Sequence, residues 1–226
     1  KIKKGYIDIT NNYSNSSGQF SFNDDNVKEF FNVFSTYVKN IVNNNYLSDT
    51  VQGIVISKCK DLIYSLNNLS LSDVNDVLLE IFKLIPRKMQ RVNDFLCYDI
   101  SNINNIIQRE IDLLDNLTSN TQFAITENKD FCDYFNIEMM YDFDKSVVDF
   151  VNKTNNTRSK IYKVFKITHK ETQKNFDEWI DKQDNKTTEL LIHGTRNANI
   201  FNILKTGLLI RPPSAAYISG NIYGSG

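Results

Sequence analysis

The spacing of apolar residues changes once along this chain, and that change constrains the fold more than any other feature. Through residues 24–118, apolar side chains recur at steps of three and four, which gives a helix one apolar face. The first such stripe consists of Val27, Phe30, Phe31, Phe34, Val38 and Ile41. From about residue 133 the apolar residues alternate in places, as in strands with one buried face. The sequence therefore predicts a helical part followed by a mixed α/β part.

Four amphipathic helices are predicted in the first part, at about residues 24–42, 51–66, 74–85 and 103–117. Asp24 and its neighbours offer capping oxygens to the first helix, and Pro86 ends the third because its ring excludes a continuing helix. Short connections between four amphipathic helices favour a bundle.

The second part is predicted to combine strands with short helices. Strands are expected at 135–141, 160–167 and 189–194, and helices at 145–152, 172–182 and 198–205, with Gly207 closing the last helix. The predicted fold class is an N-terminal all-α bundle followed by the beginning of an α+β domain. The predicted divisions are 1–23 as a linker or the tail of an upstream domain without a stable fold, 24–122 as the bundle and 133–226 as the α+β domain.

Charge and composition argue against several classes of partner. With 26 Lys and Arg against 27 Asp and Glu, the formal net charge is −1, so the chain as a whole offers no electrostatic attraction to nucleic acid. It contains no apolar run of the ~18–20 residues needed to cross a bilayer. Its first residues lack a starting Met and a signal-peptide pattern, so we expect a piece of a longer protein.

Three cysteines without a CxxC pair and two histidines make a metal site unexpected. The sparse cysteines favour a reducing, intracellular compartment.

The run from Leu190 to Arg196 is the most informative motif for chemistry. An apolar strand is expected to deliver His193 at its end, and Gly194 lets a ligand approach the backbone closely. Thr195 adds a hydroxyl before the N-terminus of a helix, where anions are favoured. The alternative is structural: His193 bonds a loop and Gly194 only turns the chain.

Other polar residues have simpler interpretations. His169 is expected in a solvated loop, and the lysines at 163, 166, 170 and 174 on solvated faces. Asp112 and Asp115 lie on the fourth helix, facing either solvent or a ligand. The sequence contains no P-loop, no GxGxxG motif and no serine nucleophile elbow.

The segment from Leu190 onward resembles the start of the poly(ADP-ribose) polymerase catalytic domain. The matching features are Leu190-Leu191-Ile192-His193-Gly194-Thr195-Arg196, then Asn199, Ile203-Leu204-Lys205-Thr206-Gly207-Leu208 and Pro212-Pro213. Residues 218–226 resemble the family's donor loop. Upstream, Val164-Phe165-Lys166-Ile167 resembles a family strand. Phe82-Lys83-Leu84-Ile85-Pro86 resembles a helix end, and Glu110–Leu117 a helix, of the regulatory helical domain that precedes the transferase. The resemblance therefore covers about 24–226.

The resemblance implies NAD-dependent ADP-ribosyl transfer to protein acceptors through an oxocarbenium-like transition state. The family's histidine, here His193, hydrogen-bonds the adenosine ribose and orients NAD. The glycine at Gly194 bonds the nicotinamide amide through its backbone, and Thr195 keeps the family's serine hydroxyl. Asp115 belongs to a helix that borders the adenosine site.

The chain departs from the family pattern at several positions. Asn202 stands where the family often has Gly, and it is still expected among the residues that contact NAD. Leu209 stands where the family often has Arg and cannot donate to a phosphate or adenine, a role in NAD binding that Arg211 is expected to take over. The family's stacking Tyr and its Glu are expected beyond Gly226, so this segment is expected to be inactive alone.

The resemblance also implies regulation and location. In the family the helical bundle obstructs the NAD site until DNA damage is sensed by other domains, which implies a nuclear protein whose DNA contacts lie outside this segment. The main alternative is a catalytically silent binding or scaffold module. A further alternative, an unrelated helical interaction protein, predicts no strands at 160–167 and 188–194.

Overall fold

The computed structural model describes residues 20–67, 69–141, 144–155, 161–191 and 193–208. These residues are mostly helical with few strands, which agrees with the predicted mixture of α and β structure. The chain divides into two compact units. The strand unit comprises Lys1–Val33 and Glu127–Gly194, and the helical unit comprises Phe34–Thr126 and Thr195–Gly226.

All four helices predicted in the first part are present. They are α1 (Asp25–Asn45), α2 (Gly53–Tyr64), α3 (Leu71–Leu84) and α4 (Ile103–Ile125). Ser70 caps α3 by accepting a hydrogen bond from the amide of Asp73, and Ile85 and Pro86 follow its end. Helix α4 extends eight residues beyond its predicted end at 117, because Leu117 and Phe123 continue its buried face.

The core of the helical unit lies where α2 packs against α3 and α4. Its fully buried side chains include Val42, Cys59, Ile63, Leu78, Ile81, Ile107, Leu114 and Leu117. Burial raises the pKa of the Cys59 thiol to about 11.

A buried ion pair lies within this apolar core. The guanidinium of Arg87 bonds the carboxylate of Glu110, and both side chains are almost completely buried. The same guanidinium lies over the rings of Tyr46 and Phe82, at 5.0 and 5.3 Å from their centroids. Removing both charges from water costs free energy, and the attraction between Arg87 and Glu110 offsets that cost only while the two stay paired.

The strand unit contains two small sheets. Strands β1 (Phe20–Ser21) and β2 (Lys129–Asp130) pair in parallel, and β3 (Ile137–Tyr141) pairs antiparallel with β4 (Phe165–His169), with Met139 opposite Ile167. Its helices are α5 (Phe131–Phe135), α6 (Lys145–Thr154) and α7 (Lys170–Ile180). Helices α6 and α7 were predicted from the sequence, whereas α5 was not.

Two sequence-based expectations are wrong in this unit. We expected no stable fold over residues 1–23. Residues 1–19 lie outside the described residues, but Phe20 and Phe22 pack on Phe31 and Phe131 with ring centroids 5.2–5.8 Å apart. The strand predicted at 160–167 begins only at Phe165 and runs to His169, because its pairing with β3 sets its ends; residue 160 lies outside the described residues.

No helix in the described part of the chain is both long and apolar enough to cross a membrane. Nor do the described residues bring together three or more His, Cys, Asp or Glu side chains suited to holding a metal ion.

Candidate functional site

The segment that leads into His193 has no regular secondary structure. We predicted a strand over 189–194, but residues 189–191, 193 and 194 lie outside any strand, and Ile192 is outside the described residues. Leu190 and Leu191 are 68% and 87% exposed. A strand forms only when another strand pairs with it, and no described residue pairs with this segment. Residues 189–194 therefore have a composition suited to a strand, but no strand among the described residues pairs with them.

His193 is exposed, and its imidazole has no hydrogen-bond partner among the described residues. The structural alternative, in which this histidine is occupied by a loop hydrogen bond, therefore finds no support in the described part of the chain. A cleft in the strand unit, lined by Phe22, Cys132 and Met139 among others, does not include His193.

Gly194 is open on the side where a side chain would stand. A Cβ atom built at this position meets no heavy atom within 4 Å, and its φ is not positive. Neither crowding nor backbone conformation therefore requires glycine here. The open backbone leaves room for a ligand to approach closely.

The residues after Gly194 form a tight turn rather than a direct helix start. The 3₁₀ turn Asn197–Asn199 comes first, and α8 (Ile200–Thr206) follows it. The side-chain amide of Asn199 donates to the Thr195 hydroxyl at 3.3 Å, and its backbone amide donates to the carbonyl of Arg196 at 2.9 Å. We expected the helix to begin at residue 198, but the turn moves its start to Ile200.

Helix α8 is fixed to helix α4 by apolar packing within the helical unit. The rings of Phe201 and Phe123 meet edge to face with centroids 4.7 Å apart, and Phe201 and Leu204 are buried. Gly207 ends the helix with a φ of 73°, as predicted, and its amide donates to the carbonyl of Ile203 at 2.8 Å. The segment after Gly194 is therefore held on α4 by a small hydrophobic contact.

A charged contact reinforces this packing. Nη1 of Arg196 donates to Oδ2 of Asp112 on α4 at 2.8 Å. The other carboxylate oxygen of Asp112 accepts from Nε2 of Gln108 at 2.7 Å. The sequence pointed to Asp112 as a solvent-facing or ligand-facing residue and gave Arg196 no role, because no local signal joins residues 84 positions apart.

Three more candidate residues have different surroundings. Asp115 bonds Nζ of Lys60 on α2 at 2.6 Å, so its carboxylate is already paired within the helical unit. Asn202 lies half-buried on α8, where its carbonyl accepts from the hydroxyl of Thr206 at 3.0 Å. Arg211 lies outside the described residues.

The lysines that we expected on solvated faces are partly engaged. Nζ of Lys163 donates to Glu29 at 2.5 Å and to Asn26 at 2.7 Å, and lies 5.3 Å from the ring centroid of Tyr141. The hydrogen bond from Lys163 lowers the pKa of Glu29, and the same bond raises the pKa of Lys163. This pair anchors the first turns of α1 in the strand unit. The ammonium group of Lys163 is therefore already bound to protein side chains.

His169 also has a structural role. It precedes α7, and its Nδ1 accepts from the backbone amide of Thr172 at 3.2 Å. The expectation of a solvated loop histidine is wrong, because this imidazole caps a helix.

Comparisons with known proteins show what this region is similar to. Residues 141–226 match the family model described as the poly(ADP-ribose) polymerase catalytic domain. A putative poly [ADP-ribose] polymerase-like protein 100L of Invertebrate iridescent virus 6 is 36% identical over 80 residues, which cover 35% of this chain and 42% of the relative.

Two further relatives extend the similarity. The uncharacterized protein 101L of the same virus is 26% identical over 145 residues, covering 61% of this chain and 62% of the relative. A poly [ADP-ribose] polymerase tankyrase of Caenorhabditis elegans is 24% identical over 244 residues, covering all of this chain and 10% of the relative. The chain therefore spans less than two thirds of the length of each of these relatives.

Proposed function

We propose, on the premise that this chain belongs through residues 141–226 to the poly(ADP-ribose) polymerase family, that the protein transfers ADP-ribose from NAD to protein acceptors and releases nicotinamide. The observation that carries this proposal is the exposed His193 beside the open backbone of Gly194. An imidazole without a hydrogen-bond partner among the described residues, next to uncrowded backbone, suits a large polar ligand.

The proposed reaction breaks one bond and forms one. The bond between nicotinamide nitrogen and ribose C1′ breaks, and nicotinamide leaves with the electron pair. An acceptor side chain of a protein then bonds C1′ and loses its proton. The chain's own residues contribute by orientation: His193 holds the adenosine ribose, and Gly194 bonds the nicotinamide amide through its backbone. Thr195 offers its hydroxyl to the adenosine side.

Asn202, Arg211 and Asp115 complete the proposed set of NAD contacts. Asp115 is bound to Lys60 in the structure, so contact with NAD requires its carboxylate to serve both partners or to leave Lys60. Asn202 has its side-chain amide available among the described residues. The assignment of these three residues rests on the resemblance alone.

We further propose that the helical part limits access to NAD, and that DNA damage, sensed by parts of the protein outside this segment, relieves the limit in the nucleus. The support is the occurrence of helices α1–α4 and the His193–Gly194 motif in one chain. Deleting residues 24–120 from the intact protein should raise the rate of NAD hydrolysis, and an unchanged rate would refute this regulation.

The proposed activity is tested with NAD labelled in its adenosine part. Incubating the intact protein with this NAD should release nicotinamide and label protein, and His193→Ala should abolish most of both signals. His169→Ala is the matched control, because His169 caps α7 and we assign it no contact with NAD. Equal labelling by wild type and His193→Ala would overturn the role of His193.

The same assay decides the main alternative, a catalytically silent binding or scaffold module. Such a module binds NAD, or nothing, without releasing nicotinamide. An intact protein that binds NAD but leaves it uncleaved would therefore support the alternative and contradict the proposed transferase.

A further inference from the structure

Arg196 occupies an unusual position for a residue bound in an ion pair. Its side chain is 73% exposed, whereas that of its partner Asp112 is only 13% exposed. A guanidinium carries five N–H donors, and Arg196 uses one of them on Asp112; no other described residue accepts from it. Most of its hydrogen-bonding capacity is therefore directed to solvent.

The position of Arg196 in the chain also matters. It follows Thr195 directly and stands two residues after Gly194, so it lies in the motif to which we assign NAD. NAD carries a diphosphate, and a guanidinium bonds phosphate oxygens through two parallel N–H groups. Lys163, by contrast, is engaged with Glu29 and Asn26.

We propose that Arg196 binds the diphosphate of the dinucleotide, and that Asp112 of helix α4 competes with that diphosphate for the guanidinium. This inference rests on the proposed function and names a binding residue that the resemblance does not assign. The present contact is a single hydrogen bond on an exposed cation, which contributes little and exchanges readily. Asp112 itself is fixed by Gln108, so the arginine is the partner that moves.

The proposed competition predicts opposite effects of two substitutions on the affinity for NAD. Asp112→Asn and Arg196→Gln both break the same ion pair. If the pair is purely structural, both substitutions should change the affinity for NAD in the same direction. If Asp112 competes with the diphosphate, they should change it in opposite directions. Losing Asp112 frees the cation and removes a nearby negative charge, whereas losing Arg196 removes the diphosphate ligand.

The experiment is a calorimetric titration of the intact protein with NAD at one fixed ionic strength, because exposed charges are screened by salt. We expect Asp112→Asn to bind about threefold more tightly than wild type and Arg196→Gln about tenfold more weakly, with the double substitution resembling Arg196→Gln. Arg196→Lys should fall between wild type and Arg196→Gln, because an ammonium keeps the charge without the paired N–H groups.

The matched control is Asp181→Asn, which removes a carboxylate from another exposed ion pair, that with Lys186 at 3.0 Å. This control should leave NAD affinity unchanged. If wild type binds NAD but Asp112→Asn binds equally or more weakly, or Arg196→Gln binds equally, the competition is refuted and the proposed function stands. If wild type binds no NAD, both proposals fall together.

Discussion

Replacing Gly194 with alanine separates a ligand-binding role from a structural one. In the ligand-free structure the added methyl group meets no heavy atom within 4 Å, and the backbone φ is not positive. The fold should therefore lose no stability. Since alanine has fewer conformations to lose on folding than glycine, the free energy of unfolding should stay the same or rise by up to about 1 kcal/mol.

The affinity of Gly194→Ala for NAD should fall, in contrast to its stability. If a ligand amide approaches this backbone as closely as we propose, a methyl group is forced into the contact, and overpacking of this kind costs about 1–3 kcal/mol. Because about 1.4 kcal/mol corresponds to a tenfold change, NAD affinity of Gly194→Ala should fall by roughly tenfold or more.

The assay pairs denaturant unfolding with a calorimetric titration of NAD on the intact protein. Gly53→Ala is the matched control, because its Cβ also meets nothing within 4 Å and Gly53 is the first residue of α2. This control should be as stable as wild type or more so, with unchanged NAD affinity. Equal NAD affinity of wild type and Gly194→Ala would refute the proposed backbone contact, and a large loss of stability would refute the structural part of the reasoning.

Three further predictions concern stability. Glu110→Gln leaves Arg87 buried without a counter-ion and should lower the free energy of unfolding by about 3–5 kcal/mol. Glu80→Gln, which breaks an exposed pair with Lys58, should lower it by at most about 1 kcal/mol. Equal losses of the two variants in denaturant titrations would refute the difference. Phe201→Ala should speed hydrogen exchange throughout α8, and unchanged exchange would show that the ring contact does not hold this helix. Glu29→Gln should destabilise by about 0.5–1 kcal/mol at neutral pH. Because the pKa of Glu29 is lowered from 4.5, this difference should vanish as the pH falls well below 4.5, and a difference that persists there would contradict the ion-pair explanation.

Helices α1–α4 could be predicted from the sequence because each carries its own periodic apolar face, whereas the five-residue α5 is too short to show one. Helix α3 shows this well, with a capping Ser70 at its start and Pro86 just beyond its end. The strands were less accessible, since a strand is defined by its partner. The alternation at 160–167 was visible, but only pairing with β3 decided that the strand runs from Phe165 to His169.

Only the local part of the candidate site could be predicted from the sequence. The adjacent residues His193 and Gly194 form a local pattern, so the sequence could single them out, but the strand expected to lead into them is absent from the described residues. The contacts of Arg196 with Asp112 and of Phe201 with Phe123 join positions far apart in the chain, and each residue alone resembles an ordinary surface or core residue. Long-range pairs of this kind follow from the packing of α8 on α4.

The most direct test of the account is the affinity of the intact protein for NAD with and without the imidazole of His193. Calorimetric titration should give saturable binding to wild type, about tenfold weaker binding to His193→Ala, and unchanged binding to His169→Ala. Equal affinity of wild type and His193→Ala, or no binding of NAD to either, would contradict the assignment of this segment to the dinucleotide.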